Sequence, residues 1–449
     1  MKRPVFLNFT RRLLPCCLLV GLLRSVAAGA SPDDNWDPRF GAPGADGPVW
    51  SISVHGQDVY VAGTFTQIGG VPANNIAKWN GTNWSALADG LTGGLLPEVH
   101  ALVFIGEDLF AGGFFTQAGG ILASNIAKWD GTNWTALSLG TSWGVRAMAA
   151  SAGTLYVGGS FSSAGEISAN NIAKWDGTKW EGLGEGVTWP YPGAAVDSVV
   201  VSGPDLYVGG RFRTAGGIAA TNIARWDGTT WFPLDHGLRN YDGPGSENGV
   251  VRALVVRGSD LYAGGGFSVA GRVSAAGIAK WNGNNWSALT GGVNHTWALA
   301  LSGTTDLYVG GFFNTAGPIS AMNIAKWSGL SWENLGSGTA SAGGAGSVRA
   351  LAASGTDLFV GGFFTLAGGK LSSSIALWHI PHTLSIQQVQ DNVVLSWPAT
   401  GTNFVLEAAC GVPSSNWSPV TQPVIVHDGQ CVVTNALGRG NQFYRLRRR

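Results

Sequence analysis

The chain has 449 residues, of which 12% are charged and 45% are hydrophobic, and its formal net charge is zero. Nucleic-acid binding depends on concentrated Lys and Arg, so this balance argues against a nucleic-acid partner. The abundant Trp and apolar residues argue equally against a disordered chain. Gly is frequent, at 69 residues, which together with few charges indicates short strands joined by tight turns.

Residues 1–30 have the pattern of a secretory signal peptide. Basic residues at positions 2, 3, 11 and 12 precede an apolar run from Leu13 to Leu23, and small residues follow. We expect cleavage after Ala28 or Ala30. The apolar run is too short to span a bilayer, and we find no later segment that could. We therefore expect a protein without a transmembrane segment in its mature form, secreted or at the cell surface, in the periplasm or outside the cell.

An internal repeat determines the predicted fold class. The string Ile-Ala-Lys-Trp, or a close variant, ends at seven tryptophans: Trp79, Trp129, Trp175, Trp226, Trp281, Trp327 and Trp378. Each unit is predicted to form four short strands, with Asn-Gly or Asp-Gly in the tight turns, as at Asn282-Gly283. Four antiparallel strands repeated about every 50 residues predict propeller blades. The sequence thus predicts an all-β chain with a seven-bladed β-propeller over residues 31–382.

The two ends of the repeat region complement each other. The seventh copy has Trp378 but lacks the Trp that begins the fourth strand of the other copies. Asn35-Trp36-Asp37-Pro38, just after the predicted signal peptide, resembles the fourth strand at Asn83-Trp84-Ser85-Ala86. We therefore expect the N-terminal strand to complete the last blade.

The repeated strings are similar to those of a known family. Leu-Tyr-Val-Gly-Gly-x-Phe and Asn-Ile-Ala-Lys-Trp-Asp-Gly-Thr-x-Trp resemble the kelch-like extracellular propeller of fungal cortical cell-polarity marker proteins, and similar units occur in exported bacterial repeat proteins. The resemblance covers nearly all of residues 46–378. It implies a propeller and surface exposure, and it carries no catalytic residue.

Residues 383–449 lack the repeat and contain alternating strands, for example at 393–397. Cys410 and Cys431, an even pair in an exported protein, predict a disulfide that closes a loop of about 20 residues and contributes roughly 3 kcal/mol. With Trp397, this pair makes the segment resemble a small fibronectin-III-like or immunoglobulin-like domain, a β-sandwich-like fold. We interpret the arginines near its end as a solvated basic tail.

Candidate binding residues are sought where the seven copies differ. The first strands align with a variable second position, which we expect to ring one mouth of the central channel: Trp50, His100, Arg146, Asp197, Arg252, Trp297 and Arg349. A solvated channel lining without a ligand is the alternative interpretation. The loops that enter these strands add four aromatic candidates: Trp143, Trp189, Tyr191 and Tyr241. Aromatic side chains among Arg, Asp and His suit a glycan or a protein partner equally.

The recurring residues, by contrast, are interpreted as structural. The paired tryptophans of each copy, such as Trp79 and Trp84, are expected to pack in the core. The lysines before the first tryptophan are expected to lay their stems on the rings. The aspartates between the first two strands are explained by turn chemistry, and we expect no metal site.

These features favour a non-catalytic recognition or scaffold protein that binds a glycan or an extracellular protein at the channel mouth. We expect a monomer without a cofactor. The first alternative is a polysaccharide-active hydrolase or lyase at the same face, in which Asp197, His100 and Arg252 combine as acid, base and clamp. The second is a purely structural surface protein.

Overall fold

The computed structural model describes residues 31–40, 43–190, 193–240, 249–344, 346–381, 384–390, 392–398, 404–410, 416–427, 430–436 and 442–448. The predicted signal peptide, residues 1–30, lies outside these ranges. The chain divides into two compact units. The larger unit comprises Trp36–Ser354 and Leu358–Trp378, and the smaller unit comprises the described residues of 31–35, 355–357 and 379–448.

The described part of the repeat region contains seven four-stranded antiparallel sheets, here sheets 1 to 7, and this all-β pattern fits a propeller-like fold. Their first strands are Val49–His55, Glu98–Ile105, Val145–Ser151, Ala195–Ser202, Val250–Arg257, Thr296–Ser302 and Ser347–Ser354. Their second strands are Asp58–Gly63, Asp108–Phe114, Thr154–Gly159, Asp205–Arg211, Asp260–Gly266, Asp306–Gly311 and Asp357–Phe363. Their third strands are Ile76–Trp79, Ile126–Trp129, Ile172–Trp175, Ile223–Trp226, Ile278–Trp281, Ile324–Trp327 and Ile375–His379. Their fourth strands are Trp84–Ala86, Trp134–Ala136, Trp180–Gly182, Trp231–Pro233, Trp286–Ala288, Trp332–Asn334 and Trp36–Asp37.

A short hairpin, made of two strands of two residues each, joins the second and third strands of every sheet. The hairpin strands are Gln67–Ile68 with Val71–Pro72, Gln117–Ala118 with Ile121–Leu122, Ser163–Ala164 with Ile167–Ser168, Thr214–Ala215 with Ile218–Ala219, Val269–Ala270 with Val273–Ser274, Thr315–Ala316 with Ile319–Ser320, and Leu366–Ala367 with Lys370–Leu371. Four further short strands pair with them: Leu91–Thr92, Val187–Thr188, Leu238–Arg239 and Thr339–Ala340. Two short 3-10 helices, Pro32–Asn35 and Pro38–Phe40, flank the N-terminal strand.

The repeated residues are the ones that hold each sheet to its neighbour. The Ile and Ala of every Ile-Ala-x-Trp string are buried, as Ile126 and Ala127 illustrate. The fourth-strand Trp reaches the preceding sheet, since Trp134 Nε1 donates a hydrogen bond of 3.0 Å to the carbonyl oxygen of Leu87. A buried fourth-strand Trp therefore contributes both apolar area and a satisfied N–H group, as the core interpretation predicts. That interpretation holds only in part for the other tryptophans, since five of them are half-buried: Trp79, Trp84, Trp129, Trp175 and Trp226.

In sheets 2 to 7 a glycine of the second strand faces the next first strand closely, whereas sheet 1 has Ala62 at the equivalent position. A Cβ atom on Gly158 would lie 2.3 Å from Cγ1 of Val196, so any side chain there would push the two sheets apart. Gly361 of sheet 7 has the same relation to Val49 of sheet 1, at 2.5 Å. The first strands contact one another in sequence order, and Val49–His55 also contacts Ser347–Ser354.

The N-terminal strand lies at the outer edge of sheet 7. Trp36 pairs with Trp378, and Asp37 pairs with Leu377. Trp36 Nε1 donates a 3.0 Å hydrogen bond to the carbonyl oxygen of Leu335, the bond that the fourth-strand Trp makes in other sheets. Trp36 is 1% exposed, so the strand is anchored by a fully buried ring.

The smaller unit contains two sheets that share one apolar core. One sheet has four strands, in the order Ser385–Val389, Asn392–Pro398, Gln430–Ala436 and Ile425–His427. The other has three strands, in the order Ser418–Pro419, Phe404–Ala409 and Phe443–Arg448. Trp397 and Val433 of the first sheet pack with Leu406 and Tyr444 of the second.

The predicted disulfide between Cys410 and Cys431 is wrong, because both residues are free thiols. The physical reason is their placement. Cys410 is exposed directly after a strand of the three-stranded sheet, whereas Cys431 is buried within a strand of the four-stranded sheet. Burial raises the pKa of the Cys431 thiol.

The basic end of the chain is also more than a solvated tail. Glu407 is 4% exposed, and its carboxylate accepts hydrogen bonds from Nε of Arg445 at 2.7 Å and Nε of Arg447 at 2.6 Å. A buried carboxylate requires such partners. No helix within the described ranges has the length and hydropathy needed to cross a membrane.

Candidate functional site

One cavity of the larger unit collects the variable residues of the first strands. Its volume is about 880 Å³. All seven predicted channel-mouth residues line it: Trp50, His100, Arg146, Asp197, Arg252, Trp297 and Arg349. Each of these side chains is half-buried. The variable position near the start of each first strand therefore contributes to one shared surface.

A backbone irregularity presents these residues. In sheet 1, Val49 pairs with Gly63 and Ser51 pairs with Ala62, so Trp50 is an extra residue without a partner across the ladder. The same β-bulge occurs at the variable residue of sheets 2 to 6: His100, Arg146, Asp197, Arg252 and Trp297. A bulge redirects one side chain while the flanking residues stay paired, and bulges are common beside functional sites.

Arg349 is held between two aromatic rings. Its guanidinium carbon lies 3.1 Å from the centre of the Trp297 ring and 5.1 Å from that of Trp50. Trp50 Nε1 donates to Oγ1 of Thr64 at 2.8 Å, and Trp297 stacks on Phe312 with 6.4 Å between centroids. The two tryptophans thus position an arginine with their faces, so those faces are not open platforms for a sugar ring.

His100 is paired with a carboxylate that lines the same cavity. Its Nε2 lies 2.8 Å from Oε2 of Glu98, and its ring stacks near Trp50 with 6.0 Å between centroids. The hydrogen bond with His100 lowers the pKa of Glu98 and outweighs the burial that would raise it. Glu98 was not a sequence candidate, although it stands only two residues before His100.

Four arginines line the same cavity: Arg146, Arg211, Arg252 and Arg349. Arg146 pairs with Asp197 at 3.1 Å. Arg252 lies over the Trp297 ring at 5.9 Å, and burial lowers its pKa, with Asp197 opposing this effect and Arg211 adding to it. Burial, and then the nearby Arg252, lower the pKa of Arg349 to about 10. The guanidinium groups are therefore close enough to repel one another.

The four loop candidates are placed less uniformly. Trp189 lines the cavity and lies beneath Arg213, whose guanidinium carbon is 5.0 Å from the ring centre. Trp143 is 61% exposed and contacts Phe114, a cavity residue, edge-on at 6.1 Å. Tyr191 and Tyr241 lie outside the described residues.

Sequence reasoning missed the residues at or directly after the ends of the second strands. Phe114 and Arg211 line the cavity, Thr64 holds Trp50, and Phe312 stacks on Trp297. All four occupy the x of Gly-Gly-x-Phe or its counterpart. This position varies between copies, and the same comparison that found the first-strand residues could have found it.

The aspartates that begin the second strands stand beside the hairpin turn, as in Asp58 opposite His55, and they are also ion-paired. Asp58 pairs with Lys78 at 2.6 Å, and Asp205 pairs with Arg225 at 3.0 Å. The lysines therefore act through their charge, and the packing of their stems on the tryptophan rings stays a prediction. Among the described residues, no group of three or more His, Cys, Asp or Glu side chains is placed to hold a metal ion.

No family model matches the chain, and no curated protein matches it. Among solved structures, it is similar to the extracellular domain of "the putative one component system BT4673" from B. thetaiotaomicron, at 11% identity and a TM-score of 0.51, over 83% of this chain and 42% of that chain. It is also similar to the computationally designed Ika8 protein, at 15% identity and a TM-score of 0.44, over 79% of this chain and 95% of that one. At this identity the BT4673 likeness shows the fold alone, and the Ika8 likeness carries no argument.

Proposed function

We propose that the chain is a secreted, non-catalytic recognition protein that binds a glycan or an extracellular protein in the cavity of the first strands. The observation that carries this proposal is that seven variable residues, one from each first strand, line the same cavity. Residues that vary among otherwise repeated copies, and converge on one concavity with mixed aromatic and charged groups, are typical of a binding site.

The scaffold belongs to the same proposal. Residues 31–382 form a seven-bladed β-propeller of kelch-like type, closed by the N-terminal strand, and residues 383–449 form a fibronectin-III-like spacer, anchor or sorting element. Support comes from the contact between the first strands of sheets 1 and 7 and from the pairing of Trp36 with Trp378. We infer that the protein acts as a monomer.

Secretion is supported by the sequence of residues 1–30, whose basic and apolar segments have the order of a signal peptide. One similar structure is itself described as an extracellular domain. A recognition role outside the cell agrees with both.

A polysaccharide-active hydrolase or lyase is the second candidate, because Glu98, His100 and Asp197 all line the cavity. A general acid needs a pKa raised toward the working pH. The hydrogen bond with His100 lowers the pKa of Glu98, and Asp197 is already paired with Arg146. Both carboxylates thus already have a side-chain partner, which favours binding over catalysis.

A binding and turnover screen tests the proposal. Purified protein is applied to immobilised polysaccharides and cell-envelope fractions beside a Trp50→Ala, Trp297→Ala double variant. Phe232→Ala, at a half-buried aromatic residue of a fourth strand that does not line the cavity, is the matched control. We expect binding that the double variant loses, with no product released. Turnover that His100→Ala or Asp197→Ala abolishes would establish the enzyme instead. Equal binding by the double variant would remove the cavity as the site.

A further inference from the structure

We propose that the cavity takes an anionic sugar, a sugar unit that carries a carboxylate or sulfate group, and that Arg211, Arg252 and Arg349 bind the anionic group. This inference rests on the proposed recognition function and specifies its ligand class.

Positively charged side chains outnumber carboxylates in the described lining of the cavity. Among its described lining residues, four arginines face two carboxylates. Asp197 is paired with Arg146, and Glu98 is paired with His100. Neither carboxylate is in an ion pair with Arg211, Arg252 or Arg349. Asp242 and Glu247 lie in 241–248, outside the described residues, so this balance counts the described lining alone.

Two of these arginines lie close to each other, against one tryptophan ring. Arg252 and Arg349 both lie over the Trp297 ring, so two guanidinium groups contact the same indole. The aromatic contacts fix the plane of Arg349 in advance, which lowers the entropy lost on binding. A guanidinium edge matches the paired oxygens of a carboxylate or sulfate. An anion bound there also relieves the repulsion between the two cations.

The size of the cavity and its rim favour a sugar over a protein partner. A volume of about 880 Å³ lies in the range of sites for small ligands. A stable protein interface instead needs about 800 Å² of surface per partner. Trp143 and Phe312, which contact cavity residues, are 61% and 47% exposed. The exposed aromatic surface of these two residues suits the apolar faces of sugar rings that continue beyond the charged unit.

The test compares charged and neutral chains of matched kind. Full-length protein is titrated with dextran sulfate, unsulfated dextran, polygalacturonate and poly-L-glutamate, each at low and high salt. The variants are Arg349→Gln, Arg252→Gln and Arg211→Gln. Arg272→Gln, at an exposed hairpin arginine away from the cavity, gives the same loss of charge as a control. Because Arg211 is exposed, its replacement leaves the fold intact even if a buried variant unfolds.

We expect dextran sulfate or polygalacturonate to bind, with an affinity that falls as salt rises, and whichever binds identifies sulfate or carboxylate as the anion. Each cavity variant should weaken this binding at least tenfold, while Arg272→Gln leaves it unchanged. Unsulfated dextran that binds equally well, and depends on Trp50 and Trp297 but on none of the arginines, overturns the inference and leaves the proposed function standing. Tighter binding of poly-L-glutamate replaces the sugar with an acidic peptide. Binding of none of the probes, nor of any envelope fraction, overturns both proposals.

Discussion

Trp36 packs edge-on against Trp378, with 5.1 Å between ring centroids and an interplanar angle of 69°. The two residues come from opposite ends of the repeat region and lie in one sheet. The tryptophans of a single repeat, such as Trp129 and Trp134, lie at a similar 5.3 Å. The two ends of the repeat region thus form a contact that in the other sheets forms within one hairpin. The last sheet is therefore completed by a strand that precedes the first sheet in the chain.

Trp36→Ala should therefore lower the free energy of unfolding as much as the equivalent change within a complete repeat. The side chain is 1% exposed and bonded to Leu335, so we expect a loss of about 3–5 kcal/mol. Guanidinium unfolding measures it beside Trp134→Ala, the matched residue of sheet 2, and Trp143→Ala, which is exposed and should change little. If Trp36→Ala behaves like Trp143→Ala, the N-terminal strand contributes nothing to the fold.

Gly361→Ala should destabilise the contact between sheets 7 and 1. The new Cβ would lie 2.5 Å from Cγ1 of Val49, and we expect overpacking to cost about 1–3 kcal/mol. Val49→Ala in the same chain should recover part of that loss, because it removes the clashing methyl groups. The control is Gly182→Ala, where the nearest atom is 3.6 Å away and stability should hold. An additive double variant would show that the two residues do not touch in solution.

Thiol titration should find two reactive cysteines in residues 31–449 after unfolding. In the native protein we expect Cys410 to react quickly with a disulfide reagent and Cys431 slowly. Cys410 is exposed, whereas burial both shields the Cys431 thiol and raises its pKa. Cys410→Ser and Cys431→Ser assign the two rates. A chain with no free thiol, native or unfolded, would restore the disulfide.

The smaller unit should lose stability in acid through Glu407. Burial raises the pKa of this carboxyl, but hydrogen bonds from Arg447 and Arg445 outweigh it, so the pKa lies below its ordinary value of 4.5. A lowered folded-state pKa gives stability that is present above the unfolded-state pKa and lost as pH falls through the folded one. Cys431 reactivity with a pyridyl disulfide, active in acid, reports this opening.

In the native sequence we expect Cys431 protection to fall in that acid range. Glu407→Gln should expose Cys431 more at neutral pH and should flatten the pH dependence. Glu166→Gln, at an exposed glutamate of the larger unit, should leave the profile unchanged. An identical profile for Glu407→Gln and the native chain would show that the ion pairs with Arg445 and Arg447 do not hold the unit together.

The sequence predicts repeated four-stranded sheets because Ile126, Ala127 and Trp129 recur with fixed spacing, and each does the same packing work in every copy. It also identifies Trp50 and Arg349 as residues that differ between copies, and the structure brings both to one cavity. Whether they bind a ligand stays a prediction.

The direction in which the variable side chains point could not be predicted from the sequence. Alternation of side chains along a strand does not reveal the bulge at Trp50, because the bulge depends on pairing with Gly63 and Ala62 across the hairpin. The contacts of Arg349 with Trp50 and Trp297 join sheets 7, 1 and 6. These residues lie far apart in the chain, so the sequence does not reveal that they are in contact. The disulfide prediction failed for a related reason, since an even number of cysteines says nothing about which sheet each one occupies.

The bulges also bear on how such a chain can change over generations. Val49 and Ser51 keep their ladder partners whichever residue stands between them, and the same holds around Arg252. Within each repeat, different residue positions therefore determine the sheet and the lining of the cavity. A single codon can alter one wall of the cavity without disturbing the sheet behind it, so a new ligand preference is reachable in small, independent steps.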